Sequence, residues 1–188
     1  MNKAVFLDRD GVLIEDADYL DSFEKIRIYD FAFDAVRRLN EAGYVVVVVS
    51  NQSGIARGYF PLSFVIQTHE MLQQRFLINR ARIDRFYFCP HHPEGTVEEF
   101  SIECECRKPK PGMILRAKRD FNLDLSRSFL IGDKKSDLET AIPLSVTPML
   151  VRTGYGLQSL REAHDLIHEH KIDVTDNLEK AVEKILQA

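Results

Sequence analysis

Short apolar runs alternate with longer amphipathic stretches along the chain, the pattern of a sheet whose strands are joined by packed helices. Ala4 to Leu7 forms the first run and ends at Asp8. Ala32, Ala35, Val36 and Leu39 then recur at helical spacing, and Gly43 stands where a helix C-terminus takes its cap. Five consecutive valines follow, Val45 to Val49. They are β-branched and apolar on both faces, as a central parallel strand requires, and the run ends at Ser50. Pro61 can open the next helix, with Val65, Leu72 and Phe76 on its core side. Phe86 to Phe88 predicts a third strand, Met113 to Phe121 a helix, Phe129 to Ile131 a fourth strand and Pro148 to Val151 a fifth. Asn177 to Leu186 closes as a helix with Asn177 as its cap. Positions 89 to 111 break the rhythm and gather Cys, His, Pro and charge, which predicts a long functional loop. With no repeat, low-complexity tract or linker, the 188 residues predict one α/β domain around a doubly wound, mainly parallel, Rossmann-like sheet.

The placement of polar groups on that pattern carries the chemistry. Asp8, Ser50 and Asp133 each stand just past the carboxyl end of a predicted strand, the ligand-binding edge of an open α/β sheet. In Asp8-Arg9-Asp10-Gly11, residues two apart on an extended chain point the same way, so Asp8 and Asp10 are expected to converge, and Gly11 lets the chain turn off. These two carboxylates with Asp133, aided by Asp137, suit Mg²⁺, which takes few protein oxygens and keeps waters for a substrate. Lys108 can balance that charge and hold a phosphoryl oxygen.

Composition narrows the partners. Lys and Arg number 25 against 29 Asp and Glu, a formal charge of −4, which argues against a nucleic-acid platform. The longest apolar stretch, Tyr44 to Val49, is six residues, far short of the roughly 20 a membrane span needs. The start, Met-Asn-Lys-Ala, shows no signal-peptide core, so a cytoplasmic protein is expected. Without a coiled-coil pattern or apolar stripe, a monomer is expected as well. Cys89, Cys104 and Cys106 form an odd set crowded beside His91. The pairs Cys89-Pro90-His91 and Cys104-Glu105-Cys106 are separated by twelve residues, and three thiolates with one imidazole fill a tetrahedral Zn²⁺ shell with no open position. A structural zinc loop over about 89–106 is therefore expected, leading straight into Arg107 and Lys108. His92 is the competing ligand, and His164, His168 and His170 are read as solvated.

The segments FLDRDG at 6–11, SNQSG at 50–54, RKPKPG at 107–112 and IGDKKSD at 131–137 resemble the four motifs of haloacid-dehalogenase-type phosphatases. Within these they look like the heptose bisphosphate phosphatases and their histidinol-phosphate phosphatase relatives. The resemblance runs from about residue 3 to 155. It implies a fold without a cap domain and an aspartyl-phosphate formed on Asp8. It implies further that Asp10 is the acid and base, with its carbonyl on Mg²⁺ beside Asp8 and Asp133. Ser50 and the backbone of Asn51-Gln52 would hold the phosphoryl oxygens, and Lys108 would neutralise the transition state.

With no cap, only residues 12–28 and the metal loop remain to select a substrate. Arg57, Arg107 and Lys134 adjoin the motifs and offer cationic contacts to a second phosphate, with Arg9 beside the nucleophile; by resemblance Asp16 and Tyr19 face the sugar. The interval from His91 to Cys104, CPHHPEG at 89–95 and SNQSGIARGYF at 50–60 resemble the heptose branch. The implied reaction is removal of the C7 phosphate of heptose 1,7-bisphosphate on the way to nucleotide-activated heptose. Histidinol phosphate, or sugar phosphates more broadly, is the alternative. Many members of the heptose branch carry Asn where Ile14 stands and Gly where Asp18 stands.

Overall fold

The valine run is buried from both sides. In the computed structural model, which describes residues 1–187, it is strand β2 (Val45–Asn51) between β1 (Ala4–Leu7) and β3 (Arg85–Cys89). The remaining strands are β4 (Phe129–Gly132), β5 (Thr147–Val151) and β6 (Asp173–Thr175), and all six run parallel in the order β3-β2-β1-β4-β5-β6.

Alternation along each strand divides the core between the faces. Val5, Leu7, Val46, Val48 and Ile131 pack with helices α1 (Asp30–Glu41), α2 (Leu62–Ile78) and α7 (Leu178–Gln187). Ala4, Phe6, Val47, Val49 and Leu130 pack against α3 (Gly112–Phe121) on the other side. The predicted helix faces are the buried ones: Ala32, Ala35, Val36 and Leu39 on α1, and Val65, Leu72 and Phe76 on α2. Gly43 follows α1 with φ +77°, and Asn177 caps α7 by accepting from Lys180 N at 3.0 Å.

Three short helices, α4 (Lys135–Ala141), α5 (Gly156–Glu162) and α6 (His164–Glu169), and the edge strand β6 complete the fold. Sequence periodicity did not signal them, because each is too short to show a repeat.

The strand order places the site. From β1 the chain moves outward to β2 and β3, then returns to lay β4 against the other side of β1. Connections therefore leave β1 and β4 in opposite directions, and a crevice opens at their carboxyl ends. Leu7 lies opposite Ile131, and Asp8 N donates to Ile131 O at 3.0 Å. Asp8 and Asp133 thus start from neighbouring strand ends.

Candidate active site

Lys108 is the hub of the crevice. Its ammonium lies 3.1 Å from Asp8 Oδ1 and 2.6 Å from Asp137 Oδ1, and it donates to Val49 O at 2.8 Å. The residue is only 4% exposed, so the pairs are almost fully desolvated. Burial opposes its charge, but Asp137 and Asp8 outweigh that and raise its pKa. Asn51 fixes the backbone here: its amide donates to Lys108 O and accepts from Lys108 N, both at 3.0 Å.

Asp8, Asp133 and Asp137 bring carboxylate oxygens within 4.8 Å of one another. Burial, against the pull of Lys108, pushes Asp8 up to about 6. Burial and the neighbouring Asp8 push Asp133 up to about 8. Asp133 Oδ2 accepts from Tyr155 N at 2.8 Å, while its buried Oδ1 has no hydrogen-bond partner. A clustered, partly unsatisfied set of hard oxygens is what a small divalent cation fits. Gly11 (φ +78°) and Gly154 (φ +58°) face each other over this carboxylate, and a Cβ on either would overlap Asp133 Oδ2. Both the left-handed backbone and the close approach require glycine.

Asp10 does not join that cluster. The expected convergence with Asp8 fails because the chain turns after β1, with Leu13 N donating to Arg9 O at 2.9 Å, and because Arg9 captures the carboxylate. Arg9 Nη2 donates to Asp10 Oδ1 at 2.9 Å, and Gln52 Nε2 donates to Asp10 Oδ2 at 3.0 Å. Burial alone would raise Asp10, but the Arg9 charge and these hydrogen bonds hold it below the usual carboxylate range. Gln52 also donates to Ser50 Oγ at 2.7 Å, which leaves the buried hydroxyl its own hydrogen to give.

Above these groups opens a cleft of about 350 Å³ whose walls include Asp10, Asp16, Tyr19, Arg107, Lys134 and Tyr155. Lys134 donates to Asp16 at 3.0 Å and lies 4.5 Å from the centre of the Tyr155 ring. Asp18 takes the left-handed conformation (φ +58°) and accepts from Tyr155 OH across the mouth. Tyr19 meets Tyr59 edge-on at 4.6 Å. The loop after β3, which leads into Arg107 and Lys108, gathers Cys89, His91, Cys104 and Cys106, whose ligand atoms lie within 4.8 Å of one another. Sγ of Cys104 is 3.4 Å from Sγ of Cys89 and 3.3 Å from that of Cys106, and His91 Nδ1 is 3.4 Å from Cys106 Sγ. Such crowding of thiols and imidazole suits a tetrahedral metal.

The HAD-hydrolase-like family matches residues 105–181. The D-glycero-beta-D-manno-heptose-1,7-bisphosphate 7-phosphatase of Yersinia pestis is 42% identical over 161 residues, 85% of this chain and 86% of that protein. Its counterpart in Haemophilus influenzae is 43% identical over 155 residues, 82% and 84% of the two chains. The chain belongs to this phosphatase family, within the haloacid-dehalogenase-like hydrolases. It is accordingly a phosphoric monoester hydrolase. Among solved structures, the D,D-heptose 1,7-bisphosphate phosphatase of B. bronchiseptica, complexed with magnesium and phosphate, matches with a TM-score of 0.87 and 32% identity over 98% of both chains. That of Burkholderia thailandensis matches with a TM-score of 0.71 and 29% identity over 100% of both.

Within this phosphatase the predicted residues fall into distinct environments. Asp8, Ser50 and Asp133 sit one hydrogen bond behind the cleft wall, linked to it through Lys108, Gln52 and Tyr155. Asp16, Tyr19, Arg107 and Lys134 line the cleft. Arg9 lines it too, but its donors are engaged by Asp10, Gln52 and His69. Arg57 is not among the lining residues; its Nη2 lies 3.1 Å from His92 Nε2 and 4.0 Å from Glu94. The turn that carries it is tied to the metal loop, where Ala56 O accepts from Thr96 N and Val97 N at 2.7 and 2.9 Å. His92 lies outside the metal cluster, accepting from Glu94 N through Nδ1. His164 and His168 lie 4.6 Å apart with tilted rings on an exposed helix, and among the described residues no third ligand gathers around them. Tyr155 and His69 were missed. Tyr155 reaches the site through partners distant in sequence, Asp133 and Asp18, and His69 is one histidine on an amphipathic helix.

Proposed function

We propose that this phosphatase removes the C7 phosphate of D-glycero-D-manno-heptose 1,7-bisphosphate, giving heptose 1-phosphate for ADP- or GDP-heptose and so for lipopolysaccharide core or surface glycan. The observation that carries the mechanism is the separation of the two aspartates. Asp8 lies with Lys108 and the carboxylate cluster, while Asp10 is turned away onto Arg9 and Gln52. Asp8, paired with Lys108, serves as nucleophile, and Asp10, on the cleft wall, as proton carrier.

Asp8 attacks phosphorus and the bond to the C7 oxygen breaks, leaving an aspartyl-phosphate. The charge of the bound phosphate raises Asp10 out of its low range, so that it takes up a proton as the ester binds and delivers it to the departing alkoxide. It then takes a proton from water, which attacks the aspartyl-phosphate and frees inorganic phosphate and the Asp8 carboxylate. Ser50 Oγ and the backbone N–H groups of Asn51 and Gln52 donate to the phosphoryl oxygens, and Lys108 offsets the charge that builds there. Asp8 and Asp133, with the Asp10 carbonyl, hold Mg²⁺, and Asp137 orients Lys108 beside them. The bound cation supplies a template and a charge shield for the phosphoryl group. Asp16 and Tyr19 receive the sugar, and Arg107 and Lys134 face its second phosphate. Arg9 acts through Asp10, and Arg57 braces the metal loop. Zn²⁺ held by Cys89, His91, Cys104 and Cys106 orders the wall that carries Arg107 and Lys108. All three cysteines are free thiols, which suits a reducing cytoplasm.

The substrate is supported by the names of the relatives and by a cleft whose walls carry Arg107 and Lys134 together with the carboxylates of Asp16 and Asp18. Phosphorus NMR of the reaction with Mg²⁺ tests it. The C7 phosphate resonance is expected to disappear while the C1 phosphate remains; loss of the C1 phosphate first would overturn the assignment. Histidinol phosphate is the alternative substrate.

A further inference from the structure

His69 takes no part in the steps above, yet it is buried and points at them. It sits on α2, 6% exposed, its ring stacked on Phe86 at 4.7 Å and edge-on to Phe88 at 5.3 Å. Its Nε2 lies 3.4 Å from Arg9 Nη1. Arg9 is itself 2% exposed, and its other nitrogens are taken: Nε donates to Asp10 at 3.2 Å, and Nη2 donates to Asp10 and Gln52, each at 2.9 Å. A guanidinium only donates, so the imidazole must offer a lone pair at Nε2 and keep its hydrogen on Nδ1. Burial and the Arg9 charge push the His69 pKa down to about 3, so the neutral ring that this contact needs persists at ordinary pH.

We propose that His69 is a positioning residue for the acid–base step, fixing Arg9 from behind and through it the orientation of the Asp10 carboxylate. The inference rests on the reading of Asp10 as acid and base. Arg9 grips Asp10 through two nitrogens of one rigid plane, so the orientation of that plane sets the direction in which Asp10 presents its oxygens. His69 accepts on the remaining nitrogen. Losing that acceptor leaves a buried donor unpaired, and the guanidinium can satisfy it only by rotating off Asp10.

The test is the rate of the first phosphoryl transfer in rapid-quench single turnovers with Mg²⁺, on two esters. Heptose 1,7-bisphosphate loses an alkoxide that needs a proton, whereas p-nitrophenyl phosphate loses a phenolate that does not. Asp10→Asn calibrates the difference and is expected to be at least about a hundredfold slower on the sugar ester and far less affected on the aryl ester. His69→Met should slow the sugar ester about tenfold and the aryl ester less than twofold, with KM unchanged. His69→Gln is of similar length and returns an acceptor oxygen, so it should stay within about threefold of the parent on both. If His69→Met does not fold, His69→Thr, too short to reach Arg9, carries the same expectation. Equal losses on both esters, or no loss, while Asp10→Asn remains selective overturn the role of His69. An unselective Asp10→Asn overturns the acid–base reading itself.

Discussion

Replacing Lys108 with Met removes the one buried ammonium that lies between Asp8 and Asp137 and keeps a side chain of similar length. Its ion pairs, at 3.1 and 2.6 Å, are almost wholly shielded from water. Without it, carboxylates no more than 4.8 Å apart repel by about 3.5 kcal/mol per pair at an effective dielectric of about 20. Breaking a buried pair from one side costs about 3–5 kcal/mol, and we expect Lys108→Met to lose that much in urea unfolding at pH 8 with EDTA. The sign of its pH dependence follows from the raised acids. Asp133 near 8 and Asp8 near 6 bind protons more tightly folded than unfolded, so their stability contribution is present at low pH and lost as pH rises through those values. The penalty of the variant should therefore shrink between pH 8 and pH 5.5. Removing a charge from the other side should also relieve it, with Lys108→Met/Asp137→Asn about 1–3 kcal/mol more stable than Lys108→Met alone. A single variant within 1 kcal/mol of the parent at pH 8, or a loss that neither acid nor Asp137→Asn relieves, would refute this electrostatic account.

Chelation of the Cys89, His91, Cys104 and Cys106 site should lower the melting temperature by several degrees and open residues 89–108 to proteolysis with Mg²⁺ still present; unchanged melting and turnover would remove zinc from the account. Gly154→Ala puts a methyl group against Asp133 Oδ2 at φ +58°, and should cost about 1–2 kcal/mol in strain and weaken Mg²⁺ activation about tenfold in a metal titration. His69 carries a folded-state pKa lowered to about 3, so its contribution is present above pH 6.5 and lost as pH falls below it. Between pH 6.5 and 5 the parent should lose up to about 2 kcal/mol relative to His69→Gln, and parallel stability curves would contradict a buried neutral imidazole.

What could be read from the sequence depended on how local each signal was. Val45–Val49 announces a strand buried on both faces, because five branched apolar residues have no amphipathic alternative. Asp8, Ser50 and Asp133 were legible as one site because strand ends share an edge in this topology. The gathering of Cys89, His91, Cys104 and Cys106 was legible from spacing alone. The direction of Asp10 was not: it depends on Arg9, which is held by His69 from α2 and by Gln52 after β2, and neither contact leaves a periodic trace. Arg57 looked suited to a substrate phosphate, but the turn that carries it is stitched to the metal loop through Ala56. Strand β6, three residues long, exists because β5 offers it an edge. Asp18 takes φ +58°, and its link to Tyr155 is visible only in three dimensions.

The most direct test of the central claim is phosphate release with Mg²⁺ from both anomers of heptose 1,7-bisphosphate and from histidinol phosphate, with Asp8→Asn as the blank. The account predicts that one heptose anomer is preferred to histidinol phosphate by at least about a hundredfold in kcat/KM, equivalent to about 2.7 kcal/mol, and that the blank releases none. Equal or faster turnover of histidinol phosphate, or appreciable release by Asp8→Asn, would contradict it.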